Sequence, residues 1–123
     1  MNLKQAFIAT YYFLDSLYCV EIKSEELIDL LSSMNPFLWS DLNSASPVTY
    51  QDWLNCAKIL EFEESINSEQ AYSLMLEFLS FHYKEFNFVP MWIIEDVKGK
   101  TYKTPKWVSC ISVAMESPPR PLR

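Results

Sequence analysis

The stretch SEQAYSLMLEFLSFHYKEF, residues 68–86, is the longest helical pattern in the chain. Its apolar residues recur every three or four positions, which is the spacing of one face of a helix. This face is predicted to contain Ala71, Met75, Phe78, Leu79, His82 and Phe86. Asn67 or Ser68 is suited to the cap, because a short polar side chain there accepts a bond from a free backbone N–H. We therefore expect a long amphipathic helix that packs against other helices.

An earlier part of the chain repeats this pattern. The segment QAFIATYYFLDSLY, from Gln5, aligns without gaps on QAYSLMLEFLSFHY, from Gln70. Gln, Ala, Phe, Leu and Tyr are identical at five of the fourteen positions, and Phe7 aligns with Tyr72. Two helices built to one pattern would be equivalent walls of a bundle. Chance similarity between two aromatic-rich helices is the alternative.

Two further helices are predicted between these segments. Ser24 is a natural cap for EELIDLLSSM, and that helix should end near Met34 because the residue before Pro36 favours an extended backbone. The next helix should begin with Ser46 as its cap and Pro47 in the first turn, where a missing N–H costs nothing. Its inner face is predicted to contain Tyr50, Trp53, Leu54, Ala57 and Leu60. The fold class is therefore mainly α, a compact bundle of four or more helices in one domain, residues 1–123.

The C-terminal part of the chain, residues 87–123, has a different character. FVPMWIIEDV is rich in β-branched and aromatic residues, Lys98-Gly99 supplies a turn, and KTYK is able to return as a second strand. A small β-hairpin is thus one prediction for this part. Thr104-Pro105 is typical of a helix start for KWVSCISVAME, although a strand is also compatible with its valines and isoleucines. The proline-rich end, residues 117–123, is expected to be a flexible tail.

Charge is distributed unevenly along the chain. The net charge is −6, with fifteen acids against four lysines in residues 1–97 and six bases against one acid in residues 98–123. An acidic body repels nucleic acid and attracts a basic partner, so we expect a protein partner and no nucleic acid. The longest run without a charge has eleven residues, and a membrane span needs about 20. With no recognisable signal sequence, a cytoplasmic protein without a membrane partner is expected.

Side chains typical of catalytic, metal-binding or cofactor-binding sites are few and scattered. The single glycine excludes a phosphate-binding loop, which needs several glycines. His82 is the only histidine, and its place on an apolar helix face favours a partly buried, hydrogen-bonded core residue over a general base or metal ligand. Cys19, Cys56 and Cys110 lack the spacing of a metal or redox motif and are expected to be buried thiols. We therefore expect no catalytic residues, no metal, no cofactor and no enzymatic activity.

The candidate residues for partner binding are acidic or aromatic. The connector SSMNPFLWSDLNSASPVTYQDW, residues 32–53, is restricted by two prolines and should present a stiff, acidic surface. A tryptophan in such a connector either packs onto the bundle or anchors a partner. The acids of EFEES, residues 61–65, form a solvated edge, a catalytic pair of carboxylates or a binding surface, and their place at a helix end favours the solvated edge over the catalytic pair. The candidates are Trp39, Asp41, Glu61, Glu63, Glu64 and Glu69.

The connector also resembles a pattern of a known protein family. Residues 30–34, LLSSM, are followed by Asp41, Ser44-Ala45, Pro47, Tyr50 and Asp52-Trp53. This resembles the block LLSDM … D-G … S/T-A-D-P-A-x-W/Y-x-D-W of the immunity proteins of contact-dependent growth inhibition, with Ser33, Leu42 and Ser46 as departures. The resemblance covers about residues 4–86.

This resemblance implies a function. A protein of this family neutralises a cognate toxin domain, often a nuclease, in the cytoplasm by one-to-one binding. The acidic body is compatible with a basic partner of this kind. An all-α adaptor or regulatory module that binds a peptide or protein is the alternative hypothesis.

Overall fold

The computed structural model describes residues 1–34 and 47–116, and within these ranges the chain forms six α-helices. They are α1 (Leu3–Leu14), α2 (Ile28–Met34), α3 (Pro47–Ile59), α4 (Ser68–Phe86), α5 (Met91–Gly99) and α6 (Pro105–Ala114). A π-helical segment, Asp15–Glu21, continues α1. The predicted helical bundle is confirmed, and the only extended pairing in the described ranges is the isolated bridge between Asn2 and Ser65.

Helix α1 lies at the centre of the bundle. Every residue of α1 is buried except Lys4 and Gln5, which is the pattern of a helix enclosed on all sides. It packs most extensively against α6 and also contacts α2, α3 and α4. The predicted inner face of α4 is buried from Ala71 to His82, but Phe86 is exposed, so that part of the prediction was wrong. Phe86 is the last residue of α4, beyond the neighbours that cover the helix.

Helices α1 and α4 begin in the same way and side by side. Asn2 caps α1 and Asn67 caps α4, and each asparagine side chain accepts a hydrogen bond from the backbone N–H of the glutamine three residues later. The side-chain oxygen of that glutamine in turn accepts a hydrogen bond from the backbone N–H of the asparagine. Met1 and Ile66 exchange two hydrogen bonds, in which each N–H group donates to the other residue's carbonyl at 3.0 and 2.8 Å. The aligned glutamines, Gln5 and Gln70, thus occupy equivalent positions in the two capping boxes.

Two tryptophans extend this equivalence into the core. The Trp53 indole on α3 donates to the carbonyl of Leu3, the first residue of α1. The Trp107 indole on α6 donates to the carbonyl of Ser68, the first residue of α4, at 3.3 Å. Each ring also packs edge-on against one aromatic residue of α1 and one of α4: Trp53 against Phe7 and Phe78, and Trp107 against Phe13 and Tyr72, with centroids 5.3–5.5 Å apart.

These contacts relate two halves of the bundle by an approximate two-fold exchange. In the gapless sequence alignment, Phe7 aligns with Tyr72 and Phe13 aligns with Phe78. Each aromatic residue that packs on Trp53 is therefore aligned with one that packs on Trp107. Helices α1, α2 and α3 correspond in order to α4, α5 and α6. In agreement, α1 packs on α6 as α4 packs on α3, and α2 packs on α1 as α5 packs on α4. The internal similarity is therefore structural, since equivalent residues make equivalent contacts.

The C-terminal hairpin, one of the predictions for this part of the chain, is not formed: its first strand is α5, and its second, residues 100–103, belongs to no helix or strand. Residues 91–99 form α5, whose buried residues Ile93, Ile94 and Val97 lie on one helical face. Burial of this face outweighs the strand preference of the individual side chains, because strand propensity depends mainly on packing context. Gly99 closes α5 without a left-handed backbone, so it makes no hairpin turn. The helical alternative for residues 105–114 is confirmed, with Pro105 in the first turn.

The predicted starts of α2 and α3 have different outcomes. Helix α2 begins at Ile28, four residues after Ser24, whose hydroxyl instead accepts a bond from the Glu26 N–H within a turn. Helix α3 begins at Pro47 as predicted. Its expected cap, Ser46, and the tail of residues 117–123 lie outside the described residues.

Candidate partner-binding surface

The loop between α3 and α4 carries three of the predicted candidates. Glu61, Glu63 and Glu64 are all exposed, as expected for an acidic edge or a binding surface. Glu61 takes the left-handed conformation that ends α3, with φ of 60°, and the next N–H, that of Phe62, donates to the Ala57 carbonyl at 2.9 Å. We call residues 61–65 the acidic loop.

The acidic loop is attached firmly to the bundle. The Leu3 N–H donates to the Glu64 carbonyl at 3.1 Å, and Ser65 forms the bridge with Asn2. The side chains of Phe62 and Ile66 anchor it from below, since both pack against the core. The backbone that carries the carboxylates is therefore held in place before any partner binds, which lowers the entropy cost of binding.

The carboxylates of this region have no cationic partner within the described residues. Glu69, the fourth predicted candidate here, is exposed in the first turn of α4, near the positive end of the helix dipole. None of Glu61, Glu63, Glu64 or Glu69 is among the described ion pairs, which join His82 to Asp52, Lys100 to Asp96 and Lys106 to Glu21. At one end of the bundle, the acidic loop and Glu69 therefore present carboxylates that form no ion pair among the described residues.

The electrostatic effect of the acidic loop reaches the core at Tyr50. Burial raises the pKa of this phenol, and the nearby Glu64 carboxylate raises it further. The Tyr50 ring also packs edge-on against Phe7, 5.2 Å away. The remaining two candidates, Trp39 and Asp41, lie outside the described residues.

His82 is buried next to a carboxylate. Its side chain is almost completely enclosed, and its ring contacts Phe78, Phe81, Phe86 and Phe88. The Nε2 atom lies 3.6 Å from Asp52 Oδ2, and neither ring nitrogen has a hydrogen-bond partner within the described part of the chain. Burial lowers the pKa of His82 to about 4 and raises that of Asp52. The imidazole is therefore neutral at pH 7. Its burial matches the core position predicted from sequence, but the predicted hydrogen bond is not formed within the described residues.

None of the three cysteines, all of which lie in the described residues, forms a disulfide bond. Cys56 and Cys110 are buried, as predicted, whereas Cys19 is half-buried. Burial raises the pKa of the Cys56 thiol to about 12 and that of Cys110 to about 11, so neither is a thiolate at neutral pH. Within residues 1–34 and 47–116, no group of three or more histidine, cysteine, aspartate or glutamate side chains is arranged to hold a metal ion.

A second surface, which the sequence did not indicate, lies at the other end of α4. Phe86 and Phe88 flank Asn87, whose left-handed conformation ends the helix, and their rings stack with centroids 5.5 Å apart. Met91 and Trp92 follow in the first turn of α5. These four large apolar side chains are each between 41% and 46% exposed. Phe86 was predicted to be buried because it continues the three-to-four-residue spacing of the apolar face of α4. That spacing does not show where the neighbouring helices end.

An open apolar pocket lies where α6 meets the start of α4. Its volume is about 350 Å³, and it is lined by Ser68, Tyr102, Lys103, Val108 and Ile111. The Lys103 ammonium lies 5.9 Å from the centroid of the Tyr102 ring. A pocket of this size accommodates one or two side chains or a small apolar ligand.

The described residues thus form a helical bundle with two distinct ends. The acidic end consists of the acidic loop and Glu69, and the apolar end consists of Phe86, Phe88, Met91 and Trp92. None of the described helices has the length and apolar character needed to cross a membrane. Comparisons of the chain with protein-family models, with curated proteins and with solved structures found no match.

Proposed function

We propose that this protein neutralises a toxin domain by binding it one-to-one in the cytoplasm, as an immunity protein of contact-dependent growth inhibition does. Its partner would be the C-terminal domain of the cognate toxin, a basic domain and most simply a nuclease. The protein would act by occupying a surface of the toxin and would need no catalytic residue or cofactor of its own. Three arguments support this proposal, and the first carries it.

The first argument is the preformed negative surface. The acidic loop and Glu69 are exposed, have no cationic partner among the described residues and stand on a backbone fixed to the N-terminus. Fixed charges of one sign attract an oppositely charged protein and suppress like-charged partners. A basic toxin domain is a partner of the complementary kind.

The second argument is the character of the titratable groups. Burial raises the pKa of the Cys56 and Cys110 thiols, so neither is a nucleophilic thiolate at neutral pH, and His82 is enclosed by aromatic side chains. The third is the resemblance of residues 30–53 to the immunity-protein pattern, in which Tyr50 and Trp53 take part. Both residues are buried against Phe7, so the part of the pattern on α3 packs α3 onto α1.

Co-expression tests this proposal directly. The toxin domain encoded by the neighbouring gene would be induced in bacteria with and without this chain, and growth and co-purification would be measured. We expect restored growth and a stable one-to-one complex. Continued toxicity together with no complex would contradict the proposal.

An adaptor that binds a peptide or protein is the second candidate. The apolar pocket beside Tyr102, Val108 and Ile111 favours it, because such a pocket can hold an anchoring side chain of a peptide. Under this alternative, Val108→Asp would abolish partner binding, whereas an immunity protein that uses its acidic or apolar end would still protect against the toxin. The same co-expression assay, run with Val108→Asp, therefore separates the two candidates.

A further inference from the structure

Exposed apolar side chains are concentrated in two connections of the bundle. Among the described residues, eleven large hydrophobic side chains are exposed, and seven of them lie in the segments 20–28 and 86–92. The first segment contributes Val20, Ile22 and Ile28, and the second contributes Phe86, Phe88, Met91 and Trp92. These segments follow α1 and α4, so they are equivalent under the two-fold exchange of the bundle.

Trp92 joins the two segments. Its indole N–H donates to Glu26 Oε1 at 3.0 Å, and its ring packs edge-on against Tyr18, 5.9 Å away. Tyr18 is itself fixed, because its hydroxyl donates to Asp96 Oδ2 on α5 at 2.7 Å. Trp92, which belongs to the apolar end, is therefore also in contact with segment 20–28 through Glu26.

The apolar end is rigid before binding. The left-handed Asn87 closes α4, and the Phe88 N–H donates to the His82 carbonyl at 3.3 Å. The Phe88 ring stacks on the buried His82 ring, and the Phe86 ring contacts it at a tilt of 42°. Three peptide links hold the Cα atoms of Phe88 and Met91 within about 11 Å of each other. Preorganised aromatic and methionine side chains are the residues that dominate the centres of protein interfaces.

The charges around the apolar end define its partner. The chain segments 20–29 and 84–95 contain six acids and two lysines, and one of the acids, Glu21, is paired with Lys106. The acids without an ion pair among the described residues are Glu25, Glu26, Asp29, Glu85 and Glu95. Glu26 contacts Trp92 directly, and Glu95 lies one turn after Met91 on the same helix face.

We propose that the apolar end is the contact surface for a basic, amphipathic segment of the partner protein, one that places apolar side chains on Phe88, Met91 and Trp92 and lysines or arginines on the surrounding acids. This inference rests on the proposed function for the partner's identity and extends it by naming where the partner binds. The acidic loop lies elsewhere, because it precedes Glu69, and Phe86 comes seventeen positions after Glu69 on α4, a rise of about 25 Å at 1.5 Å per residue.

Binding of designed peptides tests the surface without the toxin. The probe is an 18-residue peptide of leucine and lysine whose leucines lie on one helical face, and the counter-probe has glutamate in place of every lysine. Titrations at 150 mM salt should show binding of the lysine peptide only. Phe88→Ser combined with Met91→Ser should weaken that binding at least 10-fold.

Matched variants locate the effect. Val48→Ser combined with Ile59→Ser removes two side chains that are 71% and 66% exposed elsewhere, and it should change binding less than 2-fold. Equal losses in both double variants would overturn the proposal. So would binding that depends only on the acidic loop, tested with Glu61, Glu63 and Glu64 changed to glutamine.

Sedimentation and co-expression complete the test. A concentration-dependent dimer that Phe88→Ser with Met91→Ser abolishes would show that a second copy occupies the apolar end, which would overturn the proposal. If the natural chain protects against the toxin and this variant protects equally, the surface inference fails while the function stands. If the lysine peptide binds the apolar end but no protection occurs, the proposed function fails while the surface inference stands.

Discussion

At the scale of single residues, His82 is a polar group placed in an aromatic shell. The sequence predicted its burial, because it lies on the apolar face of α4. The sequence did not indicate Asp52 as its neighbour, since the two residues come together only when α3 packs on α4. Such a pairing depends on the tertiary arrangement, and no local pattern encodes it.

The His82 side chain should make stability depend on pH. Its pKa of about 4 in the folded protein lies below the ordinary 6.5, so between these values the unfolded chain takes up a proton that the folded chain does not. The stabilising contribution is therefore complete above pH 6.5 and is lost as the pH falls toward 4. The two pKa values set an upper limit of about 3 kcal/mol, and the Asp52 carboxylate reduces this, so we expect about 1–2 kcal/mol.

Urea unfolding of the natural chain and of His82→Phe measures this effect. Because the chain has one histidine, subtraction of the two pH profiles isolates its titration from that of the carboxyl groups. The free energy of unfolding of the natural chain should fall more steeply between pH 6.5 and 4.5. Parallel profiles would show that His82 is not enclosed as described here.

The paired tryptophans provide a test of the two-fold exchange. Trp53 and Trp107 are both fully buried and each donates to the first residue of a helix. Replacement of either by Phe removes one hydrogen bond and part of a ring, and we expect a loss of about 1–3 kcal/mol in the free energy of unfolding for each. Trp92→Phe, at the surface, should cost less than about 1 kcal/mol. Losses that differ by more than about 2 kcal/mol between Trp53→Phe and Trp107→Phe would argue against equivalent roles.

At the scale of helices, capping residues and apolar periodicity predicted where helices begin and which face is buried, whereas residue type alone did not distinguish a helix from a strand. The start of α4 follows from Asn67 and the start of α3 from Pro47, because each places a specific chemical group where a helix end needs one. For α5 the sequence left a strand open, because its β-branched and aromatic residues favour a strand while the three-to-four spacing of Ile93, Ile94 and Val97 favours a helix. The π-helical segment after α1 was also missed, since its extra residue per turn is stabilised by contacts such as Tyr18 with Asp96 and by no sequence signal.

Substitution of Gly99 tests whether residues 91–99 form a helix or belong to a hairpin. In α5 it has no left-handed backbone, and a Cβ built on it meets no atom within 4 Å. Gly99→Ala should therefore raise the free energy of unfolding by about 0.5–1 kcal/mol, because alanine loses less backbone entropy in a helix. In a hairpin turn the same change would be destabilising. Gly99→Asn is the matched control, since asparagine favours turns and should gain less, and thermal unfolding of both variants decides the matter.

At the scale of the whole molecule, sequence identified one end of the bundle and missed the other. The exposure of Glu61, Glu63, Glu64 and Glu69 was predicted because carboxylates rarely lie inside without partners. The apolar end was not predicted, since an exposed Phe or Trp has the same residue type as a buried one. Only the packed arrangement shows that Phe86 and Phe88 extend past the end of the bundle.

If the proposed function holds, the two ends should affect different rate constants of complex formation with the proposed toxin partner. At 10 mM salt the Debye length is about 30 Å, longer than the ~25 Å that separates the acidic loop from the apolar end along α4, so the loop can steer the encounter from a distance. Reversal of Glu61, Glu63 and Glu64 to lysine should slow association about 10-fold at this salt concentration. At 150 mM salt, where screening acts within about 8 Å, the same variant should associate nearly as fast as the natural chain.

Dissociation should depend on the apolar end instead. Phe88→Ser combined with Met91→Ser removes desolvated contacts, so the complex should dissociate at least 10-fold faster at both salt concentrations while association changes little. Surface plasmon resonance at 10 and 150 mM salt measures both constants for both variants. If the lysine reversal accelerates dissociation, the acidic loop lies in the contact itself, and the separation of steering from contact between opposite ends of α4 is wrong.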